Sequence, residues 1–247
     1  MNEEPKETPA LSAKAIKRAA GAGHDWGGVD VLGLADGTNW VVDNGGAGMT
    51  QNVVAATSQV GEPIPAQLAK TDSQKSGTIT YRAARVGAVT PFALILGKEY
   101  NGYTVTSATL NGSQGWTTIS VQFHMHLDTQ EGHMANQKAV EWPSGVLGYG
   151  AFGVLGSNFD VSEIQSCSFG VTINHTDRQT NVGQHLVGRS HGVTITATET
   201  AVTDKEASEV TFAEGWEYTS VTPQRPSGNF HEITATAVKY EAAGPGL

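Results

Sequence analysis

Residues 192–198 read Gly192-Val193-Thr194-Ile195-Thr196-Ala197-Thr198, a run in which threonine alternates with an apolar residue. Side chains on an extended strand point alternately to opposite faces, so a period of two gives this segment one core face and one face toward water or a neighbour. Four further stretches follow the same grammar: Gly77-Thr78-Ile79-Thr80-Tyr81, Trp116-Thr117-Thr118-Ile119-Ser120-Val121-Gln122-Phe123, Phe169-Gly170-Val171-Thr172-Ile173-Asn174 and Glu232-Ile233-Thr234-Ala235-Thr236-Ala237-Val238. Threonine on the outer face satisfies β propensity without adding charge. A soluble monomer more often places Lys and Glu there, and only 16% of this chain is charged. The pattern predicts a mainly β protein, an antiparallel sandwich or barrel with one or two short helices, whose surfaces meet other protein.

Working outward, Asn101-Gly102 introduces a strand at 103–110 and Asn111-Gly112 turns it into a strand at 116–127, the clearest hairpin in the chain. Strands at 163–176 and 191–202 flank a polar loop at 177–190, and a last strand covers 230–240. Upstream, the spacing predicts short strands at 29–33 and 38–43, an irregular glycine-rich loop at 44–70, a strand at 77–84 and a short helix or turn after Pro91 through Leu96. Residues 1–9 read as an arm, and 10–20 as a helix with Leu11, Ala15 and Ala19 on one face, ended by Gly21 and Gly23. The organisation expected is therefore an arm and helix over 1–20, one β domain over 21–240 with loops at 44–70, 128–160 and 203–217, and a tail over 241–247. Within the second loop, 128–142 reads as polar with a helical turn or two, and the apolar, glycine-punctuated 145–156 as a loop packed on a partner or a buried bulged strand. The acidic 203–217, counted together with Glu199, reads as a helical or loop insertion on the surface.

Composition narrows the function classes. Thirty glycines fit a protein of many turns. The net charge of −9 is uneven, with 9 basic and 10 acidic residues in 1–100 against 6 and 14 in 101–247. An acidic chain is poorly suited to gripping phosphate, although it can surround nucleic acid without gripping it. The single cysteine, Cys167, excludes an internal disulfide and reads as a small buried hydrophobe. No run approaches the roughly 20 apolar residues of a membrane span. The opening Met-Asn-Glu-Glu-Pro-Lys-Glu lacks the pattern of a signal peptide, which points to a cytoplasmic origin.

Candidate chemistry centres on His124-Met125-His126 with Glu131 and His133. Histidines at i and i+2 share a strand face, and three imidazoles with a carboxylate suit a transition metal. The spacing His-x-His-x4-Glu resembles the first motif of cupins, which bind metal inside a β barrel. The match then fails: Thr118 stands where the motif has glycine, and Pro143-Ser144-Gly145-Val146-Leu147 is followed by Gly148 where a ligand histidine belongs. Two histidines on a solvated strand face, or at a subunit contact, fit as well. His175, His185 and His191 bracket one loop without matching carboxylates. Gly188-Arg189-Ser190-His191-Gly192 has the letters of a nucleophile elbow, but a strand follows where the elbow needs a helix. No phosphate-loop motif occurs. Trp26, Trp40, Trp116, Trp142 and Trp216 are scattered and read as packing anchors, with a sugar-stacking platform as the alternative.

The second half resembles the tail tube (major tail) proteins of long-tailed bacteriophages and the related type VI secretion tubes. The resemblance rests on the run Glu163–Thr203, the hairpin 103–127 and the closing Glu232-Ile233-Thr234-Ala235-Thr236-Ala237-Val238-Lys239-Tyr240. It implies a β sandwich or barrel whose strands join around a ring, usually of six subunits, with a helix packed outside. It also implies a virion structural protein made in a bacterial host's cytoplasm, whose partners are sister copies and other tail proteins. DNA would pass through the lumen without specific binding. No catalytic residue, metal or cofactor is needed under this resemblance. A metal-binding cupin-like enzyme using His124, His126 and Glu131, and a carbohydrate-binding β sandwich, are the alternatives.

Overall fold

A computed structural model describes residues 29–56, 67–87, 89–126, 136–145, 147–150, 153–175, 178–179, 185–186, 190–224, 231–242 and 244–245. The expected arm and helix over 1–20 lie outside these residues. The described chain is mainly β, with antiparallel pairing throughout. Its strands are β1 (Trp40–Ala56), β2 (Gln67–Ala83), β3 (Ile95–Leu96), β4 (Glu99–Tyr100), β5 (Tyr103–Gly112), β6 (Thr118–His126), β7 (Asn136–Ala139) and β8 (Ile164–His175). There follow β9 (Arg178–Gln179), β10 (His185–Leu186), β11 (Ser190–Val202), β12 (Glu217–Gln224), β13 (Glu232–Glu241) and β14 (Gly244–Pro245). A 3-10 turn at Ala207–Glu209 is the one helical element among the described residues.

One sheet dominates, in the order β1-β2-β6-β5-β8-β11-β13-β12, with β4 added on β5. It is open: β1 and β12 are its ends, and among the described residues they do not close into a barrel. Register carries the period-two pattern from strand to strand. Ile79 lies opposite Val121, Val121 opposite Ala108, Ala108 opposite Val171, and Val171 opposite Ile195, so one face of the sheet is a continuous apolar floor. A small sheet β14-β7-β3 and the connecting segments cover that floor, burying Leu32, Val89, Leu94, Leu96, Val140 and Leu147 against it. The result is sandwich-like, with a second, lighter layer.

The cover is pinned by specific polar contacts. The indoles of Trp40 and Trp142 donate to the carbonyls of Thr90 (2.8 Å) and Phe92 (3.0 Å), and Phe92 meets Trp40, Tyr81 and Trp142 edge-on at centroid distances of 5.3, 5.1 and 6.0 Å. The buried Thr117 hydroxyl accepts from Gly148 N–H (3.0 Å) and lies 2.8 Å from the Gly148 carbonyl, tying down 147–150. Cys167 is buried, 3% exposed; burial pushes its thiol up and the neighbouring Glu199 carboxylate adds to the shift.

Several local expectations change. The irregular loop foreseen at 44–70 is strand at both ends, since β1 runs to Ala56 and β2 begins at Gln67. The Asn44-Gly45 pair, which reads as a turn, instead follows a bulge at Asp43. Close approach requires a glycine at one position of β2: a Cβ on Gly77 would sit 2.8 Å from Phe123 Cζ and 2.9 Å from Ala47 Cα. β1 can cross there only because Gly77 carries no side chain. Residues 29–33 form a bend rather than a strand, shaped by Asp30, which accepts from Gly33 N–H (2.9 Å) and Ala35 N–H (2.6 Å). Residues 91–96 are extended and end in β3, because Leu94 and Leu96 must reach the core. The foreseen loop 128–160 contains β7, which pairs with β3 and β14. The insertion foreseen at 203–217 reduces to the 3-10 turn and leads into β12, an unforeseen edge strand.

Candidate functional site

The outer face of the large sheet is the surface that sets this chain apart. Its cross-strand rows run Thr78–Gln122–Ser107–Thr172–Thr194, Thr80–Ser120–Thr109–Gly170–Thr196 and Thr118–Asn111–Ser168–Thr198–Thr236. Thr106 is the extra residue at a bulge in β5, which places it beside Ser107 on this face. No Asp, Glu, Lys or Arg occupies any of these positions. Charge appears only toward the margins, where Arg82 pairs with Asp43 at 3.3 Å and lies over the Trp116 ring, and where Glu232 and Glu217 stand on β13 and β12.

The hydroxyls are organised among themselves. Thr80 meets Ser120 at 3.0 Å, Thr198 meets Thr236 at 3.1 Å and Thr200 meets Thr234 at 3.1 Å, while Ser168 donates to Asn111 (2.9 Å) and the Asn174 amide donates to Thr194 (2.9 Å). Such cross-strand pairs each contribute about 0.2–1 kcal/mol and hold the side chains in one orientation. The face therefore presents a fixed lattice of methyls and hydroxyls rather than mobile charged tails. It can meet another protein surface without the desolvation cost of ions.

The two ends of the sheet differ. β12 is exposed along nearly its whole length, but a bulge between Tyr218 and Ser220 and the missing donor of Pro223 blunt it as a template for a further strand. β1 carries Gly45, Gly46 and Gly48 and lacks such protection along that stretch. Before Gln74, β2 pairs with β1 alone, so the β1–β2 ribbon runs past the rest of the sheet.

The candidate chemical residues are placed as follows. His124 lies in β6 between Ser76 and Thr104 and is 6% exposed. His126 ends β6 opposite Gln74. Glu131 and His133, and with them the rest of the cupin-like run, lie outside the described residues. His175 ends β8 opposite Ser190, and its ring centre lies 5.7 Å from that of His124. His185 is in β10, and His191 falls at a register shift near the start of β11. Ser190 leads directly into β11 and not into a helix, which removes the nucleophile elbow. Among the described residues no three His, Cys, Asp or Glu side chains converge on a metal position. Trp40 is buried, Trp116 stacks edge-on with Tyr149 at 4.9 Å, and Trp216 packs near Phe212 at 6.4 Å; with Trp142 they are spread over the core cover instead of forming one platform.

One buried carboxylate escaped the sequence reading. Glu199 is 0% exposed and not part of a surface acidic stretch. It accepts hydrogen bonds from Leu155 N–H, Ser157 N–H and the Ser157 hydroxyl, fastening 155–157 to β11. Its odd number in the run 193–201 is the signal, because Val193, Ile195, Ala197 and Ala201 share that core parity. No described helix is long and apolar enough to cross a membrane. No protein-family model matches the chain, and no curated protein matches it.

Proposed function

We propose that this chain is a virion structural subunit, a tail tube protein that self-assembles into stacked rings around a DNA-conducting channel. The observation that carries the reading is the uncharged, mutually hydrogen-bonded threonine face spanning β2, β6, β5, β8, β11 and β13 on a sheet that stays open. Edge strands in proteins are paired, covered or defended by charge. Among the described residues no charged side chain lies in the glycine-rich stretch 45–48 of β1 and no further strand pairs with it, so pairing with a sister copy is its natural completion. A net charge of −9 suits a channel wall that repels DNA and lets it slide. Other tail proteins would meet the ends of such a tube.

The test is negative-stain electron microscopy of the purified chain together with its elution volume at high concentration. Rings or tubes are the expected result. A monodisperse monomer at high concentration, with no ring on the grid, overturns the proposal.

A further inference from the structure

The sheet order brings together two histidines that are 51 positions apart in sequence. β5 lies between β6 and β8, and the ends of these strands place the His124 and His175 rings 5.7 Å apart with a 39° tilt. Beside His124 lies a pocket of about 280 Å³ lined by Ser76, Thr78, Thr106 and Gln122, whose hydroxyls and amide are open to water. We propose that His124 and His175 form the two-imidazole core of a divalent transition-metal site, of the Zn²⁺, Ni²⁺ or Cu²⁺ class, with water in the adjoining pocket completing the coordination.

Two observations support this. With metal–nitrogen bonds of about 2.0–2.1 Å, two imidazoles on one ion hold their ring centres about 5–6 Å apart, and the observed 5.7 Å falls in that interval. His175 Nδ1 lies 3.4 Å from the Ile173 carbonyl, which can only accept; donating Nδ1–H there leaves Nε2 with its lone pair, the tautomer and orientation typical of a ligating histidine. Borderline-soft ions prefer such nitrogen donors, whereas Mg²⁺ and Ca²⁺ prefer oxygen. The backbone register brings His126, at the end of β6, and His191, at the start of β11, to the same end of the sheet.

The experiment uses the full chain, stripped with a chelator and titrated with Zn²⁺ by calorimetry. One equivalent is expected to bind. His124→Gln and His175→Gln should each weaken binding by more than about tenfold, the loss that even an outer partner of a ligating histidine brings. His231→Gln, just before β13, should leave it unchanged. Should His124→Gln disturb folding, His175→Gln carries the test, joined by histidine ring-proton spectra of the wild-type chain with Co²⁺. Paramagnetic shifts on both His124 and His175 are expected there. Absence of Zn²⁺ binding by the folded wild-type chain, or undiminished binding by His175→Gln, overturns the proposal.

Discussion

The Tyr81 hydroxyl donates a 2.7 Å hydrogen bond to the same Asp30 oxygen that accepts from Gly33 N–H. The bend at 30–35 is thereby fastened to the centre of the sheet, since Tyr81 is fully buried in β2. Burial, and then the hydrogen bond with Asp30, raise the Tyr81 phenol far above its ordinary range, so it stays a donor at every working pH. Tyr81→Phe should cost about 1.5–3 kcal/mol, the range for a hydrogen bond to a charged acceptor. Urea unfolding checks it, and an unchanged midpoint would show that the bend is held by apolar contacts alone.

Glu199 makes a second such fastening, and its removal should be harsher. Glu199→Ala strips the acceptor from Leu155 N–H and from Ser157, and is expected to destabilise the chain by about 2–4 kcal/mol. Glu199→Gln keeps one carbonyl oxygen and should recover part of that loss. Chemical denaturation of both variants measures the difference, and equal losses would exclude the acceptor role.

Gly77→Ala places a methyl against Phe123 and the β1 backbone at 2.8–2.9 Å, where flexible side-chain ends are not the only obstacle. A loss of about 1–3 kcal/mol is expected from overpacking. The Gly170 position is the control: an added Cβ meets Thr109 Oγ1 at 3.6 Å, an ordinary contact, so Gly170→Ala should be tolerated. Thermal melts of the two variants give the comparison.

Acid should loosen the molecule in a defined direction. The Asn39 side chain, then backbone N–H groups led by Trp40, hold the Asp36 carboxyl well below its ordinary range. Glu163 is lowered chiefly by its bond with Asp160 N–H, and Glu241 by Lys239 and then Lys138. Each folded-state pKa lies below its unfolded value, so the stability contributed is complete above the unfolded values near about 4 and is lost as pH falls through the depressed folded values. Unfolding midpoints should be level above about pH 5.5 and drop progressively below it. A midpoint that holds at pH 3 would exclude these three carboxyls as contributors.

Charging the threonine face separates assembly from folding. Thr109→Lys with Thr196→Lys places two like charges on either side of Gly170 in one row of an otherwise uncharged surface. The monomer should keep its circular dichroism spectrum while rings or tubes disappear. Retained assembly would move the contact surface elsewhere.

The strand-forming runs were legible because threonine alternation sets both the period and the face. The five runs fall in β2, β6, β8, β11 and β13, and the Asn111-Gly112 pair read as the hairpin turn forms the last two residues of β5, with the turn to β6 just after it. β1 was hidden by its glycines, which look like turn formers until Gly77 is seen against them. β12, with Pro223 and no apolar stripe, becomes a strand only because β13 offers it a partner. The proximity of His124 and His175 depends on β5 entering between β6 and β8, a property of sheet order that no local window contains. Glu199 was legible by parity but looked like surface because of the acidic residues that follow it.

Cys167, the sole thiol of the chain, sits sealed on the core side of β8. A thiol-reactive dye can reach it only when that strand is laid bare, so the rate of labelling times the opening of the sheet. The molecule thus carries a built-in clock for its own unravelling, readable in a crude mixture without any engineered probe.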